Sequence, residues 1–221
     1  MRVIEAATES EEYKEGRGVA NALWGEERAN QLQKKIRDAR GRTFIVVHDT
    51  MARQRIPSVS AKIDKALMRG LDAHWPVIFF EEGYEKAADR NSTTELKQHL
   101  QHIFSPLEPF IIETDWAHPV PSQKPPFEGK RSERWEKIRS LFTYLGVTHV
   151  RVGGIYLTIN SSGVPLIDPR ENVGCVNLVW KELSRENRFD VSPALGDGFV
   201  SGIPTTAREA RRQLLEFLSR E

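Results

Sequence analysis

The residues best placed to do chemistry are one cysteine and a set of acids at the ends of apolar runs. Cys175 is the single cysteine of the 221-residue chain, lying between Gly174 and Val176 ahead of an amphipathic segment. A cysteine near a helix N-terminus has its thiolate stabilised by the helix dipole and free amides, which makes it a candidate nucleophile. Asp168-Pro169-Arg170-Glu171 sets the alternative, because Asp at N-cap, Pro at N1 and Glu at N3 are themselves a helix start. A helix beginning there puts Cys175 in its second turn, beside Val176 and Val179, as a small core residue. A helix capped by Asn172 puts it at N3. The pattern leaves both open. Asp49 ends the run Thr43–His48, where a carboxylate either faces a ligand crevice or caps the next turn.

Glu113-Thr-Asp115-Trp-Ala-His118-Pro places a carboxylate and an imidazole three apart on a loop, a workable pair of metal ligands. Two ligands do not make a site, and His48 or Asp49 would have to supply a third; otherwise the stretch is a polar loop with an aromatic lid. His99 and His102 share a helix face among charged neighbours and read as solvated. No G-x-G-x-x-G, GK[S/T] or G-x-S-x-G follows any apolar run, which argues against a dinucleotide fingerprint, a P-loop or a serine nucleophile elbow.

The elements that must position these groups alternate. Residues 8–40 read as one helix or two shorter ones interrupted by Gly16, Gly18 and Gly25, opened by Thr8-Glu9-Ser10-Glu11 and closed at Gly41. Apolar strands are predicted near 43–48, 76–80, 109–113, 148–153 and 188–192, each too apolar to be half exposed. Helices are predicted between them at about 60–73, from the capping box Ser92-Thr-Thr-Glu95, at about 131–145 and at about 172–186. Thr206-Ala-Arg-Glu209 is predicted to cap a last one. Tyr156–Ile159 and Val164–Ile167, around Asn160-Ser-Ser-Gly163, read as a hairpin.

Strands alternating with helices imply βαβ units and a three-layer α/β/α sandwich, with a mostly parallel sheet of five or six strands. The expected division is a helical N-terminal extension over residues 1–41 and a single Rossmann-like domain over 42–221. Ligands of such sheets bind beyond the carboxyl ends of the strands. That rule selects His48, Asp49, Glu81, Glu82, Glu113 to His118, Gly153, Gly154 and Asp197.

Charge and composition narrow the partners. Thirty-two basic against 31 acidic residues give a net charge of +1, with no electrostatic footprint for nucleic acid or a membrane surface. One cysteine excludes an intramolecular disulfide, and the acidic start MRVIEAATESEEYKE is no signal peptide. The expectation is a cytoplasmic protein acting on a small-molecule substrate, with the oligomeric state, a homo-oligomer included, left open.

In the order of these elements the chain resembles the isochorismatase-like cysteine hydrolases, the group that includes nicotinamidases. The residues that carry the likeness are Asp49 in FIVVHDT, Lys124 in QKPPFEG and Gly174-Cys175-Val176, with LFTYLGVTHVRVGG similar to the helix and strand before the family's cysteine. Together they span residues 43–200. Lys130 is the alternative lysine. Asp115-Trp116-Ala117-His118-Pro119 is similar to the nicotinamidases' metal-binding run, with one residue more, and Ile155–Glu171 is inserted between the glycines and the cysteine. The resemblance implies a catalytic triad of Asp49, Lys124 and Cys175. In it Asp49 takes the thiol proton, Lys124 stabilises the thiolate, and Cys175 attacks an amide or related carbon. Glu81, Gly153, Gly154 and Gly174 are the expected substrate-binding positions, and no cofactor beyond a divalent metal at Asp115 and His118 is implied.

Two other classes fit the same residues. Asp49, Glu81, Glu113 and Asp115 at strand ends suit a metal-dependent phosphoesterase or nuclease. A non-catalytic α/β module that binds a small molecule, or a partner through its N-terminal helices, is the other.

Overall fold

The structure, a computed structural model, describes residues 10–50, 53, 64–65, 67–68, 74–83, 92–104, 109–115, 119–154, 157–159, 175–193 and 204–206. Two helices come first, α1 (Glu11–Trp24) and α2 (Glu26–Asp38), broken at Gly25 with φ +77. Ser10 caps α1, its hydroxyl accepting from the Tyr13 N–H at 3.2 Å. The interruption foreseen from the glycines therefore falls at Gly25. Gly16 serves packing instead: a Cβ there would lie 2.0 Å from the Ser140 carbonyl oxygen, so glycine lets α1 approach the later helix closely.

A five-stranded, all-parallel sheet follows, built from β1 (Arg42–Val47), β2 (Val77–Glu82), β3 (Phe110–Thr114), β4 (His149–Gly154) and β6 (Asp190–Pro193). The spatial order is β3-β2-β1-β4-β6. Helix α3 (Ser92–Phe104) lies between β2 and β3, α4 (Arg131–Leu145) between β3 and β4, and α5 (Cys175–Leu183) ahead of β6. The order reverses at β1, which pairs with β2 on one side and β4 on the other. That is the topological switch point, where the loops leaving two strands diverge and open a crevice.

Side-chain alternation divides the sheet into two faces. Ile45, Val47, Ile78, Phe80, Phe110, Ile112, Val150 and Val152 join one core with Val19, Ala20, Leu32 and Ile36 of the first two helices, Trp135 and Ile138 of α4, and Val176 and Val179 of α5. Phe44, Val46 and Phe79 have the opposite parity and are equally buried, as are Leu67, Leu96 and Leu100 of the helical segments after β1 and β2. Helices thus cover both faces. The amino-terminal helices precede the sheet in sequence yet contribute to its main core, where each buried Leu, Ile or Phe contributes roughly 1.5–3 kcal/mol. Among the described residues no helix is long and apolar enough to cross a membrane.

The strands differ from their sequence-based bounds mainly at β2. The apolar run stops at Phe80, but the ladder continues through Glu81↔Glu113 and Glu82↔Thr114, so both acids are strand residues. Of the expected hairpin, Leu157–Ile159 is a strand, β5, paired in parallel with β7 (Pro204–Thr206), with Leu157↔Pro204 and Ile159↔Thr206. Its turn and second arm fall outside the described residues. Thr206, expected to cap a last helix, is a residue of β7; Val164–Ile167 and residues 207–221 lie outside the described residues.

Candidate functional site

The carboxyl ends of β1 and β2 hold a buried charged network. Past Val47 the chain turns at His48, whose φ of +53 is left-handed. The His48 Nε2 lies 3.2 Å from the Thr114 hydroxyl oxygen at the end of β3. Asp49 follows, helical and with 0% exposure. Arg53, one helical turn later, grips it with both arms: Nε donates to Oδ2 at 2.6 Å and Nη2 to Oδ1 at 3.1 Å. The third arm of the guanidinium reaches Asp64 Oδ1 at 2.7 Å, and His99 Nε2 lies 3.5 Å from the same oxygen.

Glu81 is also 0% exposed. Its Oε2 accepts the Thr50 N–H at 3.1 Å, tying the end of β2 to the turn after β1, and its Oε1 accepts the Glu82 N–H at 3.3 Å. Burial pushes the Glu81 carboxyl well above its usual value, and the negative charge of Asp49 pushes it further, against the backbone N–H groups that favour the anion. Burial likewise raises Asp49, with the bond and charge of Arg53 pulling the other way. Of the two buried carboxyls Glu81 holds its proton the more tightly, since it feels the Asp49 charge and, among the described residues, has no cation such as Arg53 beside it.

Cys175 belongs to a different neighbourhood. It is the first described residue of α5, half-buried, and packs against the core shared by α4 and α5. Burial pushes its thiol up to about 12, and the Glu82 charge adds to the rise. On the order of one thiol in 10⁵ is ionised at neutral pH with such a value. Glu82 continues the face of Phe80, while Glu81 continues that of Phe79. The thiol therefore responds to Glu82, and Asp49 is not among the groups that set its pKa.

The other expected residues are placed as follows. Lys124 is exposed and pairs with Glu113 at 3.2 Å. Lys130 precedes α4, where its N–H donates to Glu133 Oε2 at 2.9 Å. Asp115 accepts from Arg134 Nη1 at 2.8 Å, and the same nitrogen also donates to the Pro121 carbonyl. Gly153 pairs with Val46, and Gly154 pairs with Val47 at the switch point. Gly154 has φ +128, and a Cβ on it would lie 2.2 Å from the Val47 carbonyl oxygen, so only glycine lets β4 close on β1 here. His118, Gly174 and Asp197 lie outside the described residues. Among the described residues no group of three or more His, Cys, Asp and Glu converges to hold a metal ion.

The structure thus brings together Asp49 and Glu81, and it gives Asp49, Lys124 and Cys175 three different partners. Arg53 and Arg134 are the residues the sequence reading overlooked. The signal for Arg53 was present in Asp49-Thr-Met-Ala-Arg53, an acid–base pair four apart at a helix start. Nothing local links Arg134 to Asp115 across the proline loop. No protein-family model, curated protein or solved structure matches the chain.

Proposed function

We propose that the chain is a small-molecule hydrolase that works by general acid–base catalysis at the carboxyl ends of β1 and β2. One observation carries this reading: Asp49 and Glu81, both fully buried, sit on neighbouring elements where the charge of one raises the pKa of the other. Paired carboxyls whose environments differ can divide the roles of acid and base near neutral pH. Arg53 favours the ionised form of Asp49, which makes it the base. Glu81 is the acid. In the proposed step Asp49 takes a proton from a water molecule as its oxygen bonds to an amide or ester carbon. Glu81 gives its proton to the departing nitrogen or oxygen as that bond breaks. Return of the proton from Asp49 to Glu81 restores the pair. The β1/β4 switch point beside Gly154 is the place for the substrate.

A second reading keeps Cys175 as the nucleophile, favoured by a half-buried thiol within the electrostatic reach of a carboxylate. Glu82 is then the candidate base, since it is the carboxylate whose charge acts on the thiol.

A panel of small amides and esters assayed with Asp49→Asn, Glu81→Gln and Cys175→Ser separates the two. The first reading expects kcat/KM to fall about 10²–10⁴-fold in the carboxyl variants and little in Cys175→Ser, all variants retaining native circular dichroism. Full activity in both carboxyl variants, or no turnover by the wild type across the panel, overturns it. Loss in Cys175→Ser alone selects the second.

A further inference from the structure

We infer that a second site, for a phosphate-bearing small molecule, lies at the amino ends of β1 and β4, in a cleft where α2 ends beside the turn from α4 into β4. The cleft has a volume of about 460 Å³ and is lined by Tyr13, Gln33, Arg37, Arg40, Tyr144 and Thr148, among others. That is within the range of small-ligand pockets, roughly 300–1,000 Å³.

Its electrostatics select an anion. Among the described residues neither Arg37 nor Arg40 has an ion-pair partner, whereas Arg53, Arg134, Arg139, Arg185 and Arg188 are all paired. Of the acids of α1, Glu12 accepts from Thr143 of the cleft wall with its charge met by Arg188, and Glu15 accepts from Ser140. Helix α4 ends at Gly146 in this wall and α2 ends beside it, and each carboxyl end carries about half a negative charge. Two full positive charges outweigh the two ends together, where one guanidinium would only balance them.

The backbone gives an independent argument. Helix α2 closes with the Arg40 N–H on the Arg37 carbonyl at 2.9 Å and the Gly41 N–H on the Ile36 carbonyl at 2.8 Å. This is a Schellman closure, and its left-handed position, normally glycine, is occupied by Arg40 with φ +56. A long charged side chain is thus held in a conformation that disfavours it, on the wall of a cleft. Such outliers gather at ligand clamps.

The ligand class follows from valence. A carboxylate presents two coplanar oxygens, which match a single guanidinium fork, whereas a terminal phosphate presents three in a tetrahedral array that can face two forks together. Tyr13 and Tyr144, edge to face at 5.2 Å between ring centroids, add an aromatic side to the same cleft. The site is separate from the Asp49 network: β4 begins next to Thr148 and ends at Gly154, roughly 17 Å away at the usual rise per strand residue.

Inorganic pyrophosphate, with succinate as the carboxylate counterpart, tests this on the full chain by calorimetry and thermal shift at low ionic strength. Pyrophosphate should bind and raise Tm, with a midpoint that weakens as salt is added. Arg37→Ala and Arg40→Gly should each weaken it about tenfold or more, the loss expected for one charge-assisted contact. Arg40→Gly keeps the left-handed turn, so a loss of binding there cannot be ascribed to unfolding. Succinate binding as tightly as pyrophosphate would overturn the phosphate assignment. Undiminished pyrophosphate binding in both variants, or no Tm shift in the wild type at millimolar concentrations, would overturn the site.

Discussion

Arg53 holds both oxygens of the fully buried Asp49 carboxylate, at 2.6 and 3.1 Å, and extends its remaining arm to Asp64 at 2.7 Å. A single guanidinium therefore compensates a charge that has no contact with water. Removing one partner of a buried ion pair costs about 3–5 kcal/mol, because the other charge stays behind unpaired. Arg53→Met should destabilise the chain by about that much in urea denaturation, and Asp49→Asn by less, since Asn carries no charge to strand. Equal, small losses in the two variants would show that Asp49 is not ionised in the folded chain.

Glu81 should make stability depend on pH. Its folded pKa is raised above the ordinary value of 4.5. Between 4.5 and the raised value the folded state keeps a proton that the unfolded state releases, so stability falls as pH rises through that window. Below it both states are protonated and the penalty vanishes. Glu81→Gln cannot ionise and should flatten this loss as pH rises above the ordinary value of 4.5. Gln also gives up one acceptor for two backbone N–H groups, a roughly constant offset of about 1 kcal/mol. The slope of the urea midpoint against pH is thus the measurement, and an unchanged slope would contradict the assignment.

The thiol can be examined without a substrate. Native Cys175 should react slowly with iodoacetamide, with an apparent pKa well above the free value of ~8.5. Glu82→Gln should lower that pKa by removing the neighbouring negative charge, while Asp49→Asn should leave it in place. A shift produced by Asp49→Asn and not by Glu82→Gln would place Asp49 beside the sulfur and restore the triad reading.

Two glycines and one arginine test the backbone. Gly154→Ala must put a Cβ 2.2 Å from the Val47 carbonyl oxygen at φ +128, and should cost about 3 kcal/mol or more. Gly146→Ala has nothing within 4 Å at φ +75 and should cost only about 1 kcal/mol. Arg40→Gly should gain roughly 0.5–1 kcal/mol, the left-handed strain relieved less the extra chain entropy of glycine. Urea midpoints that fail to rank these three in that order would refute the reading of the backbone.

Local pattern was enough to specify the elements. Runs such as Phe44-Ile-Val-Val47 and Ile78-Phe-Phe80 admit only strands covered on both faces, and the intervening amphipathic segments then imply a parallel α/β/α sheet. The same position rule led to Asp49 and Glu81, because strand ends in such sheets are known before any contact is. What only the tertiary structure decided is partnership. Whether β5 finds a partner as distant as β7, whether Asp49 faces Cys175 or Arg53, and whether Lys124 serves the sulfur or Glu113 all depend on which face each side chain takes and how deeply it is buried. Adjacent residues Glu81 and Glu82 point to opposite faces of β2, so a one-residue difference in sequence decides which acid lies beside the Thr50 turn and which acts on Cys175. Desolvation, the largest influence on Asp49, Glu81 and Cys175 alike, is a property of the packed core and has no signature in the order of residues.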